Sequence, residues 1–206
     1  FAICLNLLLM TYEKGHVILF TRYTMTSAEI SIIPEFLSKV ELMGLGNDFH
    51  ITKNSIENKV TGSKILFRGI KASSGLQTAN LKSIEGVTTW VLDEAEELHD
   101  KDVFDTIDES VRTLGNSNRV IFILNPTTKA HWIYKHFFIE NGVNGGYNGT
   151  QGDTTYIHTT YLENRDNLSN SFLQKADKLK VRRPKEYHNR FLGGWLSKAR
   201  GAIFTN

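Results

Sequence analysis

Two adjacent carboxylates, Asp93 and Glu94, follow an apolar run of sequence TTWVL at residues 88–92. A short run rich in β-branched and aromatic residues predicts a strand that is covered on both faces. A carboxylate at the carboxyl end of such a strand can hold Mg²⁺ beside nucleotide phosphates through a water molecule. A second carboxylate one residue later faces a different direction and can activate the attacking water. We therefore predict that Asp93 is a metal ligand and that Glu94 is a general base.

A simpler interpretation of the same carboxylates stays open. Asp93 and Glu94 could also begin a helix, because acidic side chains are favourable at the positive end of the helix dipole. Glu96 and Glu97 fit this second description better, and we expect them to be solvated charges at a helix start.

The phosphate-binding loop that normally accompanies such a strand is missing from the chain. A strand that ends in Asp-Glu is typical of P-loop NTPases, yet the pattern G-x-x-x-x-G-K-[ST] does not occur in the 206 residues. In that fold the helix after the loop is apolar and buried, as the segment FAICLNLLLM at residues 1–10 is expected to be. The expectation is that the phosphate loop ends just before Phe1 and that the chain is a fragment of a longer protein.

The elements that position the two carboxylates follow from hydrophobic patterning. Strands that alternate with helices predict an α/β fold, with a mostly parallel sheet and helices on both faces. Alternating polar and apolar residues at 49–70 predict a small antiparallel meander. Strands are expected at 16–23, 87–92, 119–124 and 154–161, and helices at 1–14, 27–43, 101–114 and 129–141, with two basic amphipathic segments after them. Ser27 is predicted to cap the second helix, Pro34 to bend or split it, and the glycine-rich segment 142–153 to be a surface loop.

Composition excludes several classes of protein. A chain of 206 residues with 40% hydrophobic residues can bury a core, so wholesale disorder is excluded. A single cysteine cannot form an internal disulfide, which argues for a reducing compartment. The longest apolar stretch, residues 1–10, is about half of what a membrane-spanning helix needs, so no membrane partner is expected.

Charge is balanced over the whole chain but not along it. The formal net charge is only +2, so nucleic-acid binding must use local patches. One such patch is the basic run KLKVRRPKEYHNR at residues 178–190, which could contact backbone phosphates or simply be a solvated helix end. Tyr187, Phe191 and Trp195 recur every four residues, and this spacing predicts core packing rather than base stacking.

Several segments, taken in order, resemble the large terminase subunit of tailed bacteriophages, in particular its PBSX-like branch. The matching segments are TGSKILFRGI (61–70), LKSIEGVTTWVLDEAEEL (81–98), ILNPTTKAHWIYKHFF (123–138), TTYLEN (159–164) and EYHNRFLGGWLSKARGAIF (186–204). The resemblance implies a RecA-like P-loop NTPase sheet and the ATPase domain of a DNA-packaging motor over residues 1–206. Family members also carry an RNase H-like nuclease domain, which is expected downstream of Asn206.

The resemblance also assigns roles to single residues. Asp93 matches the metal carboxylate of the Walker B strand, next to the bound ATP, and Glu94 matches the catalytic carboxylate. Asn125 matches the coupling segment that senses the γ-phosphate, although an Asn that begins an Asn-Pro turn is an equally simple interpretation.

A basic finger that reaches the neighbouring subunit's phosphate is the last role that the resemblance implies. Lys82 stands at the matching position, but a lysine lacks the bidentate fork of an arginine. Arg22, at the end of the first predicted strand, is the second candidate, and Arg68 is a weaker third. For each of them a structural or solvated role is the alternative.

The cofactors and partners are likewise implications of the resemblance. The full-length protein would be an Mg²⁺-dependent ATPase that acts on double-stranded DNA with a portal protein and a small terminase subunit, as a ring of its own copies in the cytoplasm of an infected bacterium. The present chain alone is expected to be inactive. Two alternatives stay open: another P-loop DNA translocase or helicase, and a non-catalytic prophage remnant that binds nucleic acid.

Overall fold

The fold comes from a computed structural model, which describes residues 2–72, 75–76 and 78–197. The chain divides into two compact units, Phe1–Leu124 and Asn125–Asn206. The first unit carries Asp93 and Glu94, and the second begins at Asn125.

A mixed sheet forms the centre of the first unit. Its strands are β1 (Val17–Thr24), β2 (Phe49–Thr52), β3 (Ser55–Asn58), β4 (Lys64–Ala72), β5 (Gly75–Leu76), β6 (Val87–Asp93) and β7 (Arg119–Ile123). The order is β2-β3-β4-β1-β6-β7, and the short β5 pairs with β4. Strands β4, β1, β6 and β7 are parallel, whereas β2, β3 and β4 form the predicted antiparallel meander.

One helix of the first unit precedes β1, and the others connect the strands along the chain. The helices are α1 (Ala2–Met10), α2 (Met25–Ser27), α3 (Ile33–Leu42), α4 (Thr78–Lys82) and α5 (Lys101–Asp108). A π-helix at Ala28–Ile32 joins α2 to α3, and 3-10 helices occupy Gly46–Asp48 and Ala95–Glu97. Within the described residues, no helix combines the length and the apolar character needed to cross a bilayer.

Two apolar layers show that helices cover both faces of the sheet. Leu7 of α1 and Phe36 of α3 share a buried cluster with Val91 of β6. The ring of Trp90, the preceding residue, instead stacks on Phe104 of α5 at 5.7 Å. Because successive strand residues face opposite sides, the predicted α/β architecture is confirmed.

Predicted bounds and burial in the first unit need correction at several points. Helix α1 ends at Met10, four residues before the predicted end. The helix predicted to start at Ser27 begins at Met25, so Ser27 lies inside α2 and not before its first residue, and Pro34 stands at the start of a separate helix, α3. Strand β7 is half-buried or exposed rather than covered, because it is the edge strand of the sheet. Helix α5 ends at Asp108, six residues before the predicted end.

The second unit combines a hairpin with helices. Its elements are β8 (Gly149–Gln151), β9 (Thr154–Tyr156), α6 (Asn170–Arg182) and α7 (Pro184–Leu192), with a π-helix at Tyr134–Ile139 and a 3-10 segment at Tyr161–Asn167. The glycine-rich segment predicted as a loop supplies β8, which pairs with β9. The strand predicted at 154–161 is therefore shorter, and the helix predicted at 129–141 is mainly a π-helix.

Aromatic residues form the interior of the second unit. Tyr187 and Trp195 are buried, and Phe191 stacks on Tyr187 at 5.7 Å. Trp195 lies 5.1 Å from the Tyr134 ring and 5.6 Å from the Phe138 ring. The prediction that these aromatics pack in a core is confirmed.

Candidate active site

The two carboxylates lie where the sheet order brings them to the carboxyl edge of parallel strands. Asp93 is the last residue of β6 and is buried, with 9% of its surface exposed. Glu94 follows in the left-handed conformation, with φ 52° and ψ 48°. It is the only non-glycine residue with positive φ in the described ranges 2–72, 75–76 and 78–197. A left-handed non-glycine residue is costly and often marks a functional turn.

Arg22 of β1 binds both carboxylates. Its Nε lies 3.2 Å from Asp93 Oδ2, and its Nη2 pairs with Glu94 Oε1. Its Nη1 donates a hydrogen bond to Ser31 Oγ in the π-helix. The contact follows from strand register, because β1 is parallel to β6 and Thr21 lies opposite Leu92. The side chains of Arg22 and Asp93 are only 13% and 12% exposed, so this ion pair is shielded, whereas the Glu94 side chain is 41% exposed.

Burial dominates the electrostatics of Asp93. Loss of solvent raises the pKa of its carboxyl above 3.8, Arg22 opposes this shift, and the negative charge of Glu94 adds to it. Arg22 therefore offsets only part of the cost of burying Asp93.

A buried hydrogen-bond chain ties β1 to β6 just before the charged cluster. Trp90 Nε1 donates to Thr21 Oγ1 at 2.8 Å, and Thr21 Oγ1 donates to the carbonyl of Val91 at 3.0 Å. Thr21 and Trp90 are fully buried, so these bonds are shielded from water. They connect the two strands at the residues that precede Arg22 and Asp93.

Gly69 gives the backbone room beside Arg22, and it is not among the site residues predicted from the sequence. It lies opposite Arg22 in the pairing of β1 with β4, and a Cβ atom there would come within 2.4 Å of the Met25 backbone nitrogen. The chain can turn from β1 into α2 at this point only because Gly69 has no side chain. A glycine inside an apolar strand is the signal that indicates such a close backbone approach.

The other two candidates for the basic finger, Arg68 and Lys82, differ in burial and in their contacts. Arg68 is half-buried in β4 and donates to the carbonyl oxygens of Phe67 (2.7 Å) and Asn54 (3.4 Å). Lys82 is the exposed last residue of α4. Neither the exposure of Lys82 nor the contacts of Arg68 tests the finger role.

Asn125 opens a groove within the second unit. Thr128, Asn189, Arg190 and Leu196 are among the other residues that line this groove. The carboxamide of Asn189 donates to the carbonyl oxygens of Pro126 (2.7 Å) and Gly194 (2.8 Å). Thr128 and Leu196 form a parallel bridge. The Asn-Pro segment and the Leu-Gly-Gly-Trp segment are thus held side by side.

A comparison with protein families decides where the chain belongs. It matches the family described as "Phage terminase large subunit" over residues 2–194. The chain belongs to that family. No curated protein matches the chain.

Solved terminase structures share the fold of this terminase chain. The large terminase of a thermophilic bacteriophage is 13% identical, has a TM-score of 0.67, and matches over 94% of this chain and 45% of its own. The large terminase ATPase domain of Thermus phage P74-26 is 15% identical, with a TM-score of 0.60 and coverage of 93% and 81%. The large terminase of bacteriophage HK97 is 15% identical, with a TM-score of 0.59 and coverage of 88% and 40%. The chain therefore spans less than half of the first of these proteins, and its fold is the RecA-like one of terminase ATPase domains.

The acidic residues of the terminase chain fit one kind of metal site. Among the described residues, no group of three or more His, Cys, Asp or Glu side chains could enclose a metal ion. Mg²⁺ is commonly held by one or two carboxylates together with substrate phosphates. The carboxylate of Asp93 has the ligand chemistry for a magnesium ion that is shared with nucleotide phosphates.

Proposed function

We propose that this chain is the ATPase domain of a phage DNA-packaging motor, which couples ATP hydrolysis to movement of double-stranded DNA into a procapsid. The observation that carries the proposal is the cluster of Asp93, Glu94 and Arg22 at the carboxyl edge of a parallel sheet. The family match supports it. So does a solved structure of similar fold, the thermophilic-phage large terminase in complex with ADP, with 12% identity and a TM-score of 0.64.

In this proposal Asp93 would hold Mg²⁺, and the bound ion would supply positive charge beside the transferred phosphate. Glu94 accepts the proton of the attacking water, and its side chain is 41% exposed, so water can reach it. Arg22 holds Glu94 in place until the phosphates of ATP compete for its guanidinium group. Its pairing within the chain supports a positioning role, so Lys82 remains the stronger candidate for a finger that reaches a neighbouring subunit.

The remaining roles are proposals of the same kind. Asn125 would sense the γ-phosphate, and the groove that it lines would pass the signal through Asn189 to the end of α7. The phosphate loop is proposed to precede Phe1 and a nuclease domain to follow Asn206. A portal protein, a small terminase subunit and further copies of the same chain would be partners in the host cytoplasm.

The test is ATP hydrolysis by the product of the complete open reading frame, because the chain spans less than half of the thermophilic-phage terminase. Glu94→Gln should lower DNA-stimulated turnover by a factor of about 10² to 10⁴, the usual contribution of a general base, while ATP binding persists. Asp93→Ala should weaken Mg²⁺-dependent nucleotide binding. Glu97→Gln is the matched control, since Glu97 is exposed three residues later, and it should leave turnover unchanged. Normal turnover by Glu94→Gln would overturn the assignment of the base.

The same preparation separates the alternative functions. Strand separation without any need for a portal would identify a helicase-like translocase. No turnover with DNA and portal present, together with retained DNA binding, would identify a non-catalytic remnant.

A further inference from the structure

Three basic residues lie along one exposed side of helix α6. Lys175, Lys178 and Arg182 follow the spacing i, i+3, i+7, which places them on one side of the helix over about 10 Å. All three are exposed. The one acidic residue of the helix, Asp177, lies about 100° or more around the axis from each of them. We call these three residues the basic stripe.

The basic stripe has no acidic partner in the part of the chain that the structure describes. Nearby basic residues are different: Arg190 pairs with Glu186 at 3.0 Å, and Arg183 pairs with the same residue at 3.4 Å. Like charges at spacings of three and four residues destabilise a helix by about 0.2–0.5 kcal/mol per pair. The helix dipole can offset this cost for Arg182 in the last turn, but it does not favour Lys175 in the middle of the helix.

Lys185 extends the same charge into the next helix. It is exposed in the first turn of α7, where a positive charge is unfavourable with respect to the helix dipole. Charges placed against local stability, without partners in the described chain, indicate a ligand that supplies the missing anions.

The aromatic residues near the stripe indicate whether the anionic ligand is a single strand or a duplex. Proteins that bind single strands stack bases on exposed aromatic rings. The one aromatic residue of α6, Phe172, is 36% exposed, but its ring packs against Tyr161 and Phe191 at 6.0 and 5.5 Å. Tyr187 of the following helix, α7, is buried. The stripe thus offers cations beside a single aromatic ring that is already packed on two others, which suits the backbone of a duplex better than a row of stacked bases.

We propose that the basic stripe, together with Lys185, binds the phosphate backbone of double-stranded DNA without reading its sequence. The stripe spans about 10 Å, the axial length over which one strand of B-DNA presents about three phosphates. This inference rests on the proposed function and adds the surface through which the DNA is held.

The test is binding of a fluorescently labelled DNA duplex of about 30 base pairs to the 206-residue chain, without nucleotide, at several salt concentrations. The variant carries Lys175→Ala, Lys178→Ala and Arg182→Ala. Its affinity at about 0.1 M salt should fall on the order of 100-fold, and the slope of log K against log salt should shrink by about 3, because three phosphate contacts are lost. The matched control removes the same charge from three exposed residues of the first unit, with Lys14→Ala, Lys59→Ala and Arg112→Ala, and should keep its affinity.

Two further measurements make the result decisive. Circular dichroism should show unchanged helix content, and Lys175→Arg, Lys178→Arg and Arg182→Lys together should preserve binding because the charge is kept. Equal affinity of the alanine variant and the control, preference for a single strand of the same length, or no duplex binding by the unmutated chain would each overturn the inference. ATP turnover is measured separately, so loss of hydrolysis in Glu94→Gln bears on the motor and loss of duplex binding bears on the stripe.

Discussion

Arg22 Nε lies 3.2 Å from Asp93 Oδ2, across the junction of two neighbouring parallel strands. The same guanidinium group pairs with Glu94, 72 residues away in sequence. The proposed metal ligand and the proposed base are therefore held by one cation from another strand. Changes that alter this charge balance, the backbone of Glu94 or the strand junction should have measurable effects.

Asp93→Asn should alter how stability depends on pH. Burial raises the pKa of Asp93 above 3.8 in the folded state, so the folded chain loses stability as pH rises through that folded-state pKa. The amide cannot ionise. The free energy of unfolding of the variant should therefore increase relative to that of the wild type as pH rises above about 3.8. Denaturant unfolding at several pH values measures the difference.

Glu163→Gln is the control of opposite sign. A hydrogen bond from Thr160 is the main cause that lowers the pKa of Glu163 below 4.5. The free energy of unfolding of the wild type should therefore rise relative to that of this variant as pH rises through that range, and the difference should disappear as pH falls. The same trend in both variants would contradict the assignment for Asp93.

Glu94→Gly should be more stable than Glu94→Ala by about 1 kcal/mol, because a left-handed conformation costs about that much for a residue with a Cβ atom. Chemical denaturation of both variants measures the difference. At Glu97, which has no positive φ, the order should reverse, since glycine costs about 0.5–1 kcal/mol relative to alanine in an ordinary helical position. The same order at both positions would contradict the backbone assignment.

Thr21→Val should destabilise the first unit by about 1–3 kcal/mol, because it leaves the buried Trp90 Nε1 without its acceptor. Thr89→Val is the matched control on the neighbouring strand. The Thr89 hydroxyl is buried and makes no hydrogen bond with any residue that the structure describes, so its replacement by a methyl group should be neutral or stabilising. Thermal unfolding of the two variants should differ clearly, and equal effects would argue against the bond from Trp90 to Thr21.

Gly69→Ala should cost about 1–3 kcal/mol, the usual cost of overpacking, because the new Cβ atom meets the Met25 backbone. The displacement of Met25 should also disturb Arg22, three residues earlier in the chain. Gly46→Ala provides the control, since no atom of the described residues lies within 4 Å of a Cβ atom at that position. An equal loss of stability at both glycines, measured by urea unfolding, would contradict the close approach at Gly69.

Local pattern was enough to predict β6 and its two carboxylates. A run such as TTWVL is both apolar and β-rich, so its burial depends on the run itself and on little else. The parallel architecture followed from the alternation of strands and helices, and the ordered motifs were enough to indicate the family. Periodicity was less informative at β7, because its half-burial depends on its place at the edge of the sheet. It was also less informative at 142–156, because the hairpin there depends on the pairing of β8 with β9.

The amino-acid sequence by itself determined that a covered strand ends at Asp93 and that Glu94 follows it. Only the tertiary structure decided that Arg22 holds them, that Glu94 is left-handed, and that Gly69 gives the chain room to turn beside Arg22. The physical reason is one of range. Helix and strand periods are set by neighbours a few residues apart, whereas a contact between β1 and β6 depends on strand order and register, which no local pattern specifies.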